Sequence, residues 1–143
     1  MAKRILAPID AREPSERVVP VVAAMAREMG STVRLLRVFP LPERVVDPEG
    51  RTVAYVDQEM ERLTARGLDD LRPAEAALDG VPVETVVRFG EPVEEILLEA
   101  EAFGADLIAL TSASRGRVRR LLAPDVAERV AGSAPIPTLV LHG

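Results

Sequence analysis

Small hydroxyl residues and arginines are concentrated in one stretch late in the chain, LTSASRGR at residues 110–117, directly after an apolar segment at 105–110. Hydroxyl and guanidinium groups both donate hydrogen bonds to phosphate oxygens, so this composition raises the question of a phosphate-binding loop or the remnant of one. A turn in which the hydroxyls bond nearby backbone is the structural alternative. The arginines of the segment Arg115–Arg120 allow two interpretations as well, a specific anion site or a solvated face paired with carboxylates.

Cysteine and histidine, which often serve as nucleophile, general base or metal ligand, are almost absent. The sequence contains no cysteine and a single histidine, His142. The lack of cysteine excludes disulfides, thiolate zinc sites and a cysteine nucleophile. A histidine next to the last residue is a poor general base because chain ends fray. We therefore expect no catalytic residue and no metal site, and a binding role rather than catalysis.

The composition is that of a globular protein. Of the 143 residues, 48% are hydrophobic and 29% are charged, with a net charge of -5. This length is expected to form one domain over residues 1–143. The negative charge argues against nucleic acid as a partner, because nucleic-acid binding depends on basic surfaces. No apolar run has the length of a membrane span, so we expect no membrane partner and a cytoplasmic location.

Five short apolar runs alternate with helical patterns along the chain. Strands are predicted at 4–9, 33–38, 83–88, 105–110 and 137–141. Helices are predicted from Val18 to a C-cap at Gly30, from Thr52 until Pro73 breaks the helix near its end, after Gly90-Glu91-Pro92, and from an N-cap at Asp125 to about residue 131. The segment between strand two and Thr52 is rich in proline and is predicted to be irregular.

Continuous apolar strands that alternate with helices predict a doubly wound α/β fold, with a parallel sheet covered by helices on both faces. In such sheets ligands bind beyond the carboxyl ends of the strands, where the winding direction reverses. The loops after strands one and four are therefore the candidate site. They carry Asp10 on one side and Thr111, Ser112 and Ser114 on the other.

The whole chain resembles the universal stress protein family. The matching segments are RILAPID followed by Ser15, LLRVFP, FGEPVEEILLEAEAFGADLIAL and LLAPDVAERVAGSAPIPTLVLHG. The resemblance implies a five-stranded parallel sheet in the order 3-2-1-4-5, with strands one and four adjacent. It also implies an adenine-nucleotide pocket, ATP or AMP being the cofactors to consider, in which Pro8, Asp10 and Val38 match the adenosine side. For Asp10, hydrogen bonding to loop amides is the structural alternative.

The phosphate side of the implied pocket departs from the family pattern. Nucleotide-binding members carry a loop of the form G-x2-G-x9-G-[S/T], whose four motif positions fall here on Thr111, Ser114, Pro124 and Asp125. Thr111 resists the backbone conformations open to glycine, and Pro124 has no N–H to donate. Asp125 brings a negative charge to a position where a phosphate would lie, although an ordinary N-cap is its alternative role. Arg115 could restore some positive charge.

The function expected from these observations is a stress-response regulatory or binding module with weak or lost ATP binding. The alternative is an ATP- or AMP-binding universal stress protein that hydrolyses ATP slowly. A third hypothesis is a pocket that keeps adenosine or AMP and rejects the triphosphate.

The last strand, TLVLHG, would expose an unpaired sheet edge. Together with the resemblance, this edge predicts a homodimer through the C-terminal strand.

Overall fold

The computed structural model describes residues 2–10, 16–43, 45–112 and 125–142. Within these ranges strands and helices alternate along the chain. In chain order they are β1 Arg4–Pro8, α1 Val18–Met29, β2 Thr32–Phe39, β3 Val45–Val46, β4 Thr52–Ala54, α2 Val56–Ala77, β5 Val83–Phe89, α3 Pro92–Phe103, β6 Leu107–Ser112, α4 Val126–Ser133 and β7 Thr138–His142. Among the helices of these ranges, none combines the length and the apolar character needed to cross a membrane.

Five of these strands form a parallel sheet in the order β5-β2-β1-β6-β7. Counted among the sheet strands alone, this is the order 3-2-1-4-5, so the predicted topology is confirmed. The chain builds from β1 through β2 to β5 and then adds β6 and β7 on the other side of β1. The winding direction therefore reverses between β1 and β6, and the carboxyl ends of these two strands flank the expected ligand crevice.

Alternate residues of the central strands pack against different pairs of helices. Ile5 and Leu35 belong to the core cluster on the side of α1 and α2. Leu6 and Ile108 belong to the cluster on the side of α3 and α4. All four side chains have a relative exposure of 0%. The predicted helices on both faces are confirmed, and burial from both sides explains why the strands are continuous apolar runs.

Two predicted helix boundaries are confirmed. Gly30 ends α1 in the left-handed region, with φ 67°, and its N–H donates to the carbonyl of Ala26. A residue with a Cβ would be strained there, which is why glycine favours this position. Pro92 lies in the first turn of α3, and the Glu91 carboxylate caps that helix by accepting from the Val93 N–H over 2.7 Å. Proline fits a first turn because its missing N–H would have no helical partner.

The predicted start of α2 at Thr52 is wrong. Residues Thr52–Ala54 form β4, which pairs antiparallel with Val45–Val46, and the helix begins at Val56. The prediction of an irregular connection is therefore wrong in part, because the proline-rich segment contributes one strand of this hairpin. Tyr55 stands between β4 and α2 in extended conformation, and its N–H donates to the Gln58 carboxamide over 3.0 Å. This bond satisfies an amide that would otherwise be unpaired at the start of the helix. The apolar spacing alone could not locate that start.

The predicted break at Pro73 is also wrong, because α2 continues through Pro73 to Ala77. Proline removes one N–H from the helical ladder and costs about 3 kcal/mol in a helix interior. Leu71 and Ala74, on either side of it, are buried in the core at 0% and 2% exposure. Their burial favours continuation of the helix across the proline.

Candidate ligand site at the carboxyl edge of the sheet

The backbone that carries Asp10 is held against the central sheet. β1 ends at Pro8, and the next residue extends its path because the Ile9 N–H donates to the Leu36 carbonyl over 2.8 Å. Ile9 is buried, with 2% exposure. Asp10 follows directly and is half-buried at the carboxyl edge. Pro8 and Asp10 therefore lie where the sequence predicted them, at the end of the first strand.

Pro8 and Val38 lie on the same face of the sheet. Pro8 is in register with Leu36 of β2, and Val38 is two residues farther along that strand. Residues two apart in a strand share a face. Val38 is half-buried and packs against the core cluster on the side of α3 and α4. These two predicted residues can thus line one crevice at the carboxyl edge, on the face of the sheet that α3 and α4 cover.

The two predicted hydroxyl residues of β6 are divided between the faces. Leu110 packs on the side of α3 and α4, so alternation places Ser112 on that side as well. Ala109 packs on the side of α1 and α2, and Thr111 shares its direction. Ser112 therefore belongs with Pro8 and Val38. Thr111 does not join them, although the sequence grouped it with Ser112.

Ser112 and Asp125 form a direct link between the end of β6 and the start of α4. The Ser112 hydroxyl, in a residue with 2% exposure, donates to Asp125 Oδ2 over 2.6 Å. The other carboxylate oxygen, Oδ1, accepts from the Glu128 N–H over 2.9 Å. The predicted N-cap role of Asp125 is confirmed. Both a side-chain donor and a helix amide are thus directed at this carboxylate.

An ion pair near the start of α4 was not predicted from the sequence. Arg129 donates to Glu91 Oε1 over 2.9 Å and thereby joins the first turn of α4 to the cap of α3. Arg129 lies one helical turn after Asp125. This spacing is a signal in the sequence that could have identified Arg129 as a residue near the candidate site. The pair is half-exposed, with 48% and 36% exposure. Asp125 and Glu128 make this corner acidic, with Arg129 as the neighbouring cation.

Several residues of the predicted phosphate side lie outside the described residues. They are Ser114 and Arg115, together with Pro124 and the arginines up to Arg120. Within the described ranges, no group of three or more histidine, cysteine, aspartate or glutamate side chains could hold a metal ion. The residues brought together at the carboxyl edge are thus Pro8, Val38, Ser112 and Asp125, with Asp10 at the end of β1.

Comparison with known proteins identifies the family. A model of the universal stress protein family matches residues 1–142. The chain belongs to the universal stress protein family. The universal stress protein YxiE of Bacillus subtilis is 28% identical over 150 residues, which cover 99% of this chain and 100% of the relative. The universal stress protein MJ0531 of Methanocaldococcus jannaschii is 28% identical over 141 residues, which cover 97% of this chain and 81% of the relative.

Solved structures, among them two complexes of universal stress proteins, share the fold. The structure of hypothetical protein MJ0577 has a TM-score of 0.76 and 26% identity, covering 99% of this chain and 96% of its own. A universal stress protein in complex with cAMP has a TM-score of 0.69 and 17% identity, with coverage of 99% and 97%. A universal stress protein from Archaeoglobus fulgidus in complex with dAMP has a TM-score of 0.62 and 19% identity, with coverage of 98% and 97%.

Proposed function

We propose that this universal stress protein is a stress-response regulatory or binding module rather than a catalyst, and that its binding of ATP is weak or lost. The observation that supports this proposal is the use of Asp125. Its carboxylate accepts the Ser112 hydroxyl and the Glu128 amide, so these two donors are engaged by the protein's own anion. A phosphate at this place would have to replace the carboxylate as the acceptor of these two hydrogen bonds. It would also lie next to the negative charge of that carboxylate.

The charge repulsion outweighs any single contact that the Ser112 hydroxyl or the Glu128 amide could offer to a phosphate. Two unit charges about 4 Å apart repel by about 4 kcal/mol at an effective dielectric constant of 20. A hydrogen bond to a charged group contributes about 1.5 to 3 kcal/mol. One serine hydroxyl or one helix amide therefore does not offset an adjacent carboxylate. A triphosphate, which carries the largest negative charge, is disfavoured most strongly.

The adenosine side of the site supports a narrower form of the proposal, in which adenosine or AMP binds and the triphosphate is rejected. Pro8 and Val38 share one face at the carboxyl edge, and Asp10 follows Pro8 by two residues. The structurally similar complexes with cAMP and dAMP each contain an adenine nucleotide with a single phosphate. The three hypotheses differ in one measurable quantity, the order of affinities for adenosine, AMP and ATP.

Isothermal titration of the protein with the three ligands tests the proposal. We expect ATP to bind most weakly. Replacing Asp125 by Ser or Asn removes the negative charge and keeps a capping side chain, so ATP affinity is expected to rise at least tenfold, or about 1.4 kcal/mol. Adenosine affinity should remain within about twofold, because adenosine carries no charge to be repelled. A matched control is Glu75→Gln on the exposed end of α2, which changes the net charge equally.

Two results would contradict the proposal. Micromolar binding of ATP by the unmodified protein, weakened by Asp10→Ala, would favour the alternative of an ATP-binding protein, and release of phosphate in the same sample would favour slow hydrolysis. A failure of both Asp125 variants to strengthen ATP binding would show that charge is not what excludes the triphosphate.

The remaining features of the proposal concern assembly and location. We propose a cytoplasmic protein of one domain that forms a homodimer whose subunits join along β7. The edge position of β7 supports this dimer, because β7 is the last strand in the sheet order and, in the part of the chain that the structure describes, pairs with β6 only. An unpaired strand edge is a ready template for pairing with a second copy.

A further inference from the structure

Helix α3 is apolar on more than its core-facing side. Val93 and Ile96 are buried in the core, with 6% and 3% exposure. Leu98 points away from the core and is 48% exposed. An open groove of about 760 Å³ is lined by Leu97 and Leu98 and, from the connection between α4 and β7, by residues 135–136. We call this feature the α3 groove. Its volume falls within the range of about 300 to 1,000 Å³ that is usual for ligand pockets.

Two carboxylates on the lining of the α3 groove differ from the other acidic groups of the helix. Glu95 and Glu99 are both paired with Arg88 over 2.9 Å. Glu94 and Glu101 line the groove instead, and no ion pair to either exists among the residues that the structure describes. They are seven residues apart, so they lie on one side of the helix, about 10 Å apart along its axis.

The apolar residues and the two carboxylates together determine which class of ligand the groove can bind. An apolar floor between two carboxylates repels nucleotides and other anions and attracts cations that carry apolar surface. The complementary surface has apolar side chains in its centre and basic side chains at a spacing of about 10 Å.

We propose that the α3 groove binds a basic amphipathic helix of a partner protein. In such a helix, apolar residues at positions i, i+3, i+4 and i+7 would pack on Leu97 and Leu98, and two basic residues seven positions apart would face Glu94 and Glu101. This proposal concerns a different surface from the nucleotide site and does not depend on the proposed function.

A helix fits better than an extended segment because of what surrounds the groove. A bound strand needs an open sheet edge, whose free N–H and C=O groups supply most of its hydrogen bonds. The α3 groove is bordered by a helix, and helix backbone groups are bonded internally. Side-chain packing and ion pairing are then the available interactions. The few residues that line the groove indicate a transient complex rather than a permanent one.

Fluorescence anisotropy with a labelled synthetic peptide tests the proposal on the full chain. The peptide is an amidated helix of about fourteen residues, or about four turns, with leucine at the four apolar positions, arginine at the two facing positions and alanine elsewhere. We expect saturable binding that weakens as salt is added. Leu98→Ser should weaken it at least tenfold, and the double variant Glu94→Gln with Glu101→Gln at least fivefold.

Matched controls come from α2. Leu68, with 39% exposure, is an exposed leucine outside the groove, and Leu68→Ser should leave binding unchanged. The double variant Glu61→Gln with Glu75→Gln removes the same charge from exposed positions of α2 and should also have no effect. Far-ultraviolet circular dichroism and a thermal melt verify that each variant is folded.

Several outcomes would overturn the proposal. One is an absence of peptide binding at concentrations of about 1 mM. Another is equal binding of a peptide in which glutamate replaces both arginines, since charge complementarity would then play no part. Equal effects of Leu98→Ser and Leu68→Ser would point to nonspecific apolar binding. A change of oligomeric state in the Leu98→Ser variant would assign the groove to a second copy of the chain.

Discussion

At the scale of single residues, Gly67 lies at the closest approach of α2 to the sheet. A Cβ at this position would be 2.8 Å from the Phe39 ring and 2.8 Å from a methyl group of Val87. The Phe39 ring is itself stacked on Phe89, with centroids 5.9 Å apart. The neighbours of Gly67 therefore have little freedom to move away. Glycine is unfavourable in a helix interior, so close packing is the physical reason for it here.

Gly67→Ala is expected to lower the free energy of unfolding by about 1 to 2 kcal/mol. Overpacking costs about 1 to 3 kcal/mol, and the better helix propensity of alanine returns up to about 1 kcal/mol. Gly132→Ala is a matched control because Gly132 lies in α4 and a Cβ there would have no neighbour within 4 Å. That variant should be neutral or slightly more stable. Urea unfolding measures both, and equal effects would contradict the packing argument.

At the scale of elements, α3 is attached to the sheet by an ionic cluster as well as by apolar contacts. Glu99, whose side chain is 4% exposed, accepts from Arg34 of β2 over 2.5 Å and from Arg88 of β5 over 2.9 Å. Arg34 also pairs with Glu84 and lies 4.2 Å from the centre of the Phe103 ring. The cluster thus ties two strands and one helix together through a single buried carboxylate.

The two arginines remain charged throughout the usual pH range. Burial disfavours the charge on Arg34, but hydrogen bonds to Glu84 and Glu99 outweigh this effect and raise its pKa above the ordinary value. Hydrogen bonds to Glu95 and Glu99 likewise raise the pKa of Arg88. A raised arginine pKa means that the ion pair contributes its full stability at pH values below the pKa of that arginine in the unfolded chain. The contribution is lost only as the pH rises through the pKa of the arginine in the folded protein.

Glu99→Gln is expected to destabilise the protein by about 1 to 3 kcal/mol. Removing one partner of a fully buried pair costs about 3 to 5 kcal/mol, and the cost is smaller here because each arginine keeps a second carboxylate. The difference from the parent protein should be constant between about pH 6 and 10, since the arginines do not titrate there. Denaturant midpoints across this range measure it. Glu101→Gln, on the exposed side of α3, should have little effect, and an equal loss would contradict the role of Glu99.

Local signals in the sequence predicted the elements better than their connections. Gly30 and Asp125 identified helix ends because caps depend on a few neighbouring residues. The short β3–β4 hairpin was missed because it depends on pairing across a proline-rich segment. The Arg34–Glu99 pair joins residues 65 positions apart, which no local pattern reveals. The same limit applies to the Ser112–Asp125 bond, although each residue had been selected separately for the site.

At the scale of the whole molecule, β7 is the edge strand of the sheet, and no other strand among the residues 2–10, 16–43, 45–112 and 125–142 pairs with its outer side. The carbonyl of Pro137 accepts from the Ile108 N–H, so alternate residues of β7 face β6. By this alternation, the N–H and C=O groups of Thr138, Val140 and His142 face away from the sheet. A second copy aligned antiparallel about Val140 could pair with these groups. The proposed homodimer therefore has a definite register.

Light scattering after size exclusion is expected to give twice the 15.5 kDa mass of the chain at micromolar concentration. His142→Pro removes one outward-facing donor from an exposed residue and should shift the equilibrium toward the monomer, since edge strands accept proline without loss of fold. Leu68→Ser serves as the control because this exposed residue lies in α2, outside β7. A monomer in the parent protein, or a dimer unaffected by His142→Pro, would contradict the proposed interface.

The ionic cluster that attaches α3 to the sheet has a consequence for mild acidification. Histidine is the side chain whose ordinary pKa of about 6.5 falls in the near-neutral range, and the one histidine here is exposed at the end of β7. Arg34 and Arg88, whose pKa values are raised by hydrogen bonds to their carboxylate partners, keep their charge when the pH falls from neutrality by about one unit. Mild acid therefore does not release α3 from the sheet through these two arginines.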